Sequence, residues 1–258
     1  MSPRAGNGLP SAVARRQITP CKACPLRANP AFRDFKGAER SFIENFKTGE
    51  LAVQAGTSIL IDGHDSPHLY TILEGWAVRI KHLENGARQV LNFGMPGDFI
   101  GLQSTLFDKM QHSVEALSDM ALCVFERDRL WELFERHAGL AFDITWLAAR
   151  EESILADHLV NVGQQPAFER LAYIIHFLFE RARRCGLASG NTVKMPITQE
   201  HLADAMGLSI VHTNKTLKKL KATGAIDWSR GELRVVDGAK LAELSGYETM
   251  DGYRRPFI

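Results

Sequence analysis

Between Pro196 and Val236 the order of apolar, hydroxyl and glycine residues admits few backbone solutions. Thr198 can cap a helix, because its hydroxyl accepts a backbone N–H of the first turn. Leu202, Ala203 and Met206 follow at helical spacing, and Gly207 permits the left-handed turn that ends the helix. Ser209 caps a second helix that runs through Leu217 and Leu220 and stops at Gly224. Ile226-Asp227-Trp228-Ser229, the turn Arg230-Gly231, and Glu232-Leu233-Arg234-Val235-Val236 then read as a β-hairpin. The spacing predicts helix, four-residue turn, helix and hairpin.

A winged helix-turn-helix of this kind lays its second helix in the DNA major groove. The early residues expected to face outward are Ile210, Val211, His212, Asn214 and Lys215. Asn suits adenine edges, and Lys suits guanine or phosphate. Lys218, Lys219 and Lys221 are placed to hold the phosphate backbone. Thr198, Gln199 and Ser209 at the helix starts and Arg230 at the wing tip complete the candidate DNA contacts. The chain's net charge is only +1, yet no acidic residue lies between Asp204 and Asp227. That stretch reads either as a solvated helix face or as a phosphate-facing surface, and charge alone does not choose.

Upstream, from about Leu51 to Glu126, the pattern is β. Ile59–Ile61, Tyr70–Leu73, Ala77–Ile80, Gln89–Phe93 and Ala121–Phe125 are short apolar or alternating runs. Asp62-Gly63, Glu74-Gly75, Asn85-Gly86 and Pro96-Gly97-Asp98 separate them, and Asn85-Gly86 predicts a hairpin. Such strands suit a small barrel or roll. From Asp128 to about Val160 the period becomes helical, through Leu140, Ile144, Leu147, Ile154 and Leu155. That stripe needs cover, from a second copy of the helix or from its own β-domain. Gly163-Gln164-Gln165-Pro166 reads as a hinge, followed by a helix with Phe168, Leu171, Ile175, Leu178 and Phe179 on one face.

With 258 residues there is room for two domains, each expected to have its own core. The expected divisions are a 1–35 tail, a 36–127 β-roll, a 128–162 helix with hinge, and a 163–258 DNA-binding domain. Residues 1–20, rich in Gly, Pro, Ser and Arg, are expected to be flexible. No apolar run follows Arg4, Arg15 and Arg16, and charges interrupt every long apolar stretch, so a cytoplasmic, membrane-free protein is expected.

These parts, in this order, resemble the bacterial Crp/Fnr family of transcription regulators over roughly Cys21 to Leu244. The residues that carry the likeness in the β-part are Leu69-Tyr70-Thr71-Ile72-Leu73-Glu74-Gly75 and Pro96-Gly97-Asp98-Phe99-Ile100-Gly101. The resemblance implies an α+β fold: an N-terminal cyclic-nucleotide-binding-like β-roll, a long dimerisation helix and a C-terminal winged helix-turn-helix. It implies a homodimer on double-stranded promoter DNA, with RNA polymerase as a partner. Members that bind cyclic AMP carry a Glu and an Arg where this chain has Leu102 and His112, so another effector is expected. The family often presents an acid and an Arg on the reading helix, where this chain has Val211 and Lys215. A different DNA site is therefore expected.

The Fnr branch holds an iron–sulfur cluster with three N-terminal cysteines and one at the end of the β-roll. Cys21, Cys24 and Cys123 fall where three of these would lie, and the fourth place is near Pro30. Three readings stay open: a cluster with a non-cysteine ligand such as Asp34, a redox-sensitive thiol pair, or a relic motif. Cys185 follows Arg181, Arg183 and Arg184, whose charge could lower its pKa, or it simply packs. The main rival class is a cupin-like metal enzyme built on His64, His68 and Glu74, but the histidines are four apart and Pro67 interrupts them. A regulatory module with no DNA role is the second rival, and the winged segment argues against it.

Overall fold

A computed structural model of the chain describes residues 13–15, 19–248 and 254–258. In chain order its elements are β1 (Val13–Arg15), α1 (Pro25–Ala28), α2 (Gly37–Phe46), β2 (Lys47–Val53), β3 (Ser58–Leu60), β4 (His68–Glu74), β5 (Ala77–His82), β6 (Arg88–Gly94), β7 (Phe99–Ile100), α3 (Leu102–Phe107), β8 (Ser113–Ala116) and β9 (Met120–Glu126). After these come α4 (Leu130–Arg136), α5 (Ala138–Gln164), α6 (Ala167–Arg184), β10 (Ala188–Ser189), β11 (Thr192–Lys194), α7 (Gln199–Met206), α8 (Ile210–Ala222), β12 (Ile226–Ser229), β13 (Glu232–Val235) and α9 (Gly238–Ser245).

Two antiparallel sheets face each other in the β-roll, ordered β1-β2-β9-β4-β7 and β3-β8-β5-β6. The Asn85-Gly86 turn joins β5 to β6 as expected: Gly86 takes a φ of +83°, and the Asn85 side chain accepts the Ala87 N–H at 3.0 Å. The expected flexible tail falls mostly outside the described residues, but Val13–Arg15 pairs in register with Val53–Leu51 on β2. The helical stretch after the roll is two helices, because the chain turns at His137, whose φ of −133° is not helical. The expected hinge narrows to Gln165-Pro166, since Gly163 and Gln164 still belong to α5. Pro166 cannot continue the ladder of α5 and instead precedes the first turn of α6.

Two apolar clusters lie in the roll and its flanking segments, and a third crosses between the halves of the chain. Trp76, Val78, Ile80, Val90 and Phe93 of the roll share one apolar cluster with α6, α7 and the winged domain. Helix α6 is therefore buried nearly all round, with Ala172, Ile174 and Phe177 as inaccessible as the predicted Leu171 and Ile175. Its polar groups are satisfied inside: Tyr173 meets His158 of α5 at 2.9 Å, and His176 meets Ser245 of α9 at 2.8 Å. The α5 stripe divides as well. Leu140, Ile144 and Ile154 pack on their own chain, while Phe142, at 69% exposure, and Leu159, at 73%, face outward together with Leu155 and Val160.

Candidate nucleic-acid interface

Helix α7 begins at Thr198, whose Oγ1 accepts the His201 N–H at 3.2 Å, while the Thr198 N–H is donated to His201 Nδ1 at 3.1 Å. This is a reciprocal capping box with His in the place usually held by Glu or Gln, which is why a search for those residues misses it. Burial and the nearby Arg88 lower the His201 pKa, so its ring nitrogen stays free to accept. Gly207 closes α7 at φ +61°, a conformation that favours glycine. Ser209 Oγ then accepts the His212 N–H at 3.2 Å and starts α8.

Helix α8 is two-faced. Thr213, Thr216, Leu217 and Leu220 point into the core; Ile210, Val211, His212, Lys215, Lys218 and Lys219 point out, with Val211 at 72% exposure. Thr198 and Gln199 are exposed at the adjoining end of α7. Two expected contacts differ. Asn214 is half-buried, and its Oδ1 is enclosed with no hydrogen-bond partner among the described residues. Lys221 is engaged inside the domain: its ammonium donates to the Trp228 carbonyl at 2.9 Å and pairs with Asp227 at 3.1 Å, tying α8 to the wing. Arg230 sits at the wing tip, exposed, with a φ of +52°.

The whole unit leans on the β-roll through α7. Arg88 of β6 pairs with Asp204 at 2.5 Å and Glu200 at 3.3 Å, and Gln89 donates to the Ala205 carbonyl at 3.1 Å.

Inside the roll a cavity of about 480 Å3 lies against α5, lined in part by Arg79, Asn92, Leu102, His112 and Glu151. Arg79 donates to His112 Nε2 at 3.0 Å and pairs with Glu151, which also accepts from Asn92 at 3.0 Å. Burial, reinforced by the Arg79 charge, pushes the His112 pKa down to about 3. The ring is therefore neutral at any physiological pH. Its stabilising contribution is complete above the unfolded value near 6.5 and is lost as pH falls from there toward 3. His112→Gln should flatten the stability profile in that window, as urea unfolding at stepped pH would show. A full His112 NMR titration between pH 5 and 8 would refute the assignment. A cyclic phosphate finds a poor fit: Glu151 already holds Arg79, His112 lends no charge and Leu102 no acceptor.

Cys21, Cys24 and Cys123 line one tight pocket with Lys47, Phe257 and Ile258. Burial raises all three thiol pKa values, that of Cys123 to about 12. Asp34 is held by Arg27 at 2.5 and 2.7 Å, which removes it as a ready fourth ligand. Among the described residues no three His, Cys, Asp or Glu side chains are placed to hold a metal ion. The residues thus do not fit an iron–sulfur cluster as arranged, and His64, His68 and Glu74 do not fit a cupin metal site. Burial also raises the Cys185 pKa despite its arginine neighbours; its thiol donates to the Pro96 carbonyl at 3.4 Å.

The sequence matches the family model of the cyclic nucleotide-binding domain over residues 50–137 and that of the Crp-like helix-turn-helix domain over residues 169–244. The nitrogen fixation regulation protein FixK of Rhizobium meliloti is 30% identical over 174 residues, which cover 66% of this chain and 74% of that protein. The chain belongs to the Crp/Fnr family of transcription regulators. FixK of Bradyrhizobium diazoefficiens is 28% identical, covering 87% of this chain and 93% of that protein. The structure of FixK2 from Bradyrhizobium japonicum superimposes with a TM-score of 0.68 at 25% identity, covering 78% of this chain and 98% of that one. Like these Crp/Fnr relatives, the chain carries a cyclic-nucleotide-type β-roll, a long helix and a helix-turn-helix DNA-binding domain. No helix among the described residues is long and apolar enough to cross a membrane.

Proposed function

We propose that this Crp/Fnr regulator binds double-stranded promoter DNA as a homodimer in the cytoplasm, contacts RNA polymerase there, and has no enzymatic activity. The observation that carries the reading is the two-faced α8: threonines and leucines fix it to the core, and its outer face is cationic and free of acids. Ile210, Val211, His212 and Lys215 meet base edges. Asn214 joins them by a rotamer change that would release its enclosed amide oxygen. Thr198, Gln199, Ser209, Lys218, Lys219 and Arg230 fix the register on phosphates.

The test is binding to a randomised duplex pool at several salt concentrations. Lys215→Ala should cost about 1–3 kcal/mol on the selected site and relax its sequence preference. Lys218→Ala should weaken all duplexes alike and reduce the slope of log K against log salt by about 0.9. Identical slopes before and after would remove Lys218 from the phosphate surface.

The signal is a redox, oxygen or small-molecule one, and not cyclic AMP. The Arg79–Glu151 pair supports the exclusion, and three thiols in one pocket support a redox input. Such a signal acts by shifting the balance between DNA-competent and incompetent arrangements.

A further inference from the structure

Residues Arg254–Ile258 do not stay with the winged domain. They cross to the β-roll and pack into it. Arg255 joins the N-terminal segment through main-chain bonds, its N–H to the Ala31 carbonyl at 2.9 Å and its carbonyl from the Arg33 N–H at 2.8 Å. Phe257 and Ile258 are almost wholly buried. The Phe257 ring lies 4.7 Å from that of Phe35 and edge-on to Phe32 at 5.7 Å. Thr71 of β4, itself inaccessible, donates its hydroxyl to the Ile258 carbonyl at 2.5 Å. Beneath these two side chains lie the thiols of Cys21, Cys24 and Cys123.

The same segment is tied to the DNA-binding half. Asp98, in the turn after β6, accepts from Arg181 Nη2 of α6 with both carboxylate oxygens, at 3.1 and 2.9 Å, and also takes Arg255. One carboxylate thus joins roll, α6 and the 254–258 segment. Asn29, in the N-terminal segment beside it, donates to the Arg184 carbonyl at 2.9 Å and closes the end of α6.

We propose that Arg254–Ile258 is a displaceable strap occupying a peptide site on the β-roll, sealing the three-thiol pocket and holding the DNA-binding half against the roll in one act. A soft electrophile or oxidant reaches the thiols when the strap lifts. Lifting also frees Asp98 from Arg255 and loosens the seat of α6 and α7. The redox reading above gains from this a physical route from pocket to DNA-binding helices. The strap itself rests on contacts that need no DNA.

The test uses the full chain with Phe257→Ala and, as a milder second variant, Arg255→Gln. A maleimide probe labels native protein, peptide mapping locates the label, and hydrogen exchange follows the amides of α7 and β6. Both variants should label Cys21, Cys24 and Cys123 about ten-fold faster or more, with faster exchange where α7 seats on β6 and none in β5 or β8. Labelling unchanged in both variants would overturn the strap. So would faster labelling with α7 exchange unaltered, or a rise spread evenly through β5 and β8. Parent protein that never binds DNA would instead overturn the DNA-binding reading and leave these readouts standing.

Discussion

Asp98→Ala should lower the unfolding free energy by about 3–5 kcal/mol, measured by urea denaturation at pH 7. The change leaves two guanidinium groups, those of Arg181 and Arg255, without their shared carboxylate in a buried place. It also deprives the Met95 N–H of its acceptor at 2.7 Å. The pH dependence has a definite sign. Burial raises the Asp98 pKa, but the charges of Arg181 and Arg255 outweigh it and hold the carboxyl below the usual range. The stabilisation is therefore present in full above the unfolded value near 3.9 and is lost as pH falls through the lower folded one. Asp98→Asn should abolish that acid-side loss. A loss for Asp98→Ala of under about 1 kcal/mol would show that the hub is a surface pair in effect.

Leu155→Asp with Leu159→Asp should convert the proposed homodimer to a monomer and weaken specific duplex binding by about 100-fold or more. Both side chains are exposed on α5, on a face flanking the one that Leu140, Ile144 and Ile154 bury. An unpartnered apolar row on a 27-residue helix has no reason to persist in water unless a second copy covers it. Charging that row should part the two α8 helices that the proposed homodimer would set on two half-sites together. The monomer core should be untouched. Sedimentation velocity decides the matter: an unchanged sedimentation coefficient would place the dimer seam elsewhere.

Much of the helix-turn-helix was legible because its signals are local. Ser209, Gly207 and the spacing of Leu217 and Leu220 each act within one turn of chain, and the structure puts caps and core faces where they indicate. The Asn85-Gly86 hairpin was legible for the same reason. What the sequence hid depends on distance along the chain. Lys221 reads as another cation of the helix, and only the folded wing brings the Trp228 carbonyl to it. Asn214 reads as outward from composition, yet the packing of α8 encloses its amide oxygen. The break at His137 has no Pro, and Gly139 falls just beyond it, inside the first turn of α5. Cys185 sits among arginines in sequence, but burial decides its pKa, and its thiol meets the carbonyl of Pro96, far away along the chain. Arg254–Ile258 has no periodicity at all, and nothing local says that Phe257 belongs beside Phe32 and Phe35. A similar long reach explains Gly97, where a side chain would drive into the Phe32 ring.

The bond between Thr71 and Ile258 spans 187 positions of sequence, and that span sets an order on synthesis. The strands of the roll leave the ribosome first and can pair at once. Their sulfur-lined floor, however, stays open to the surrounding solution until residue 258 has emerged. At 5–20 residues per second, that exposure lasts on the order of ten seconds. Each nascent chain thus passes through an interval in which its thiols meet the ambient chemistry before Phe257 and Ile258 close over them.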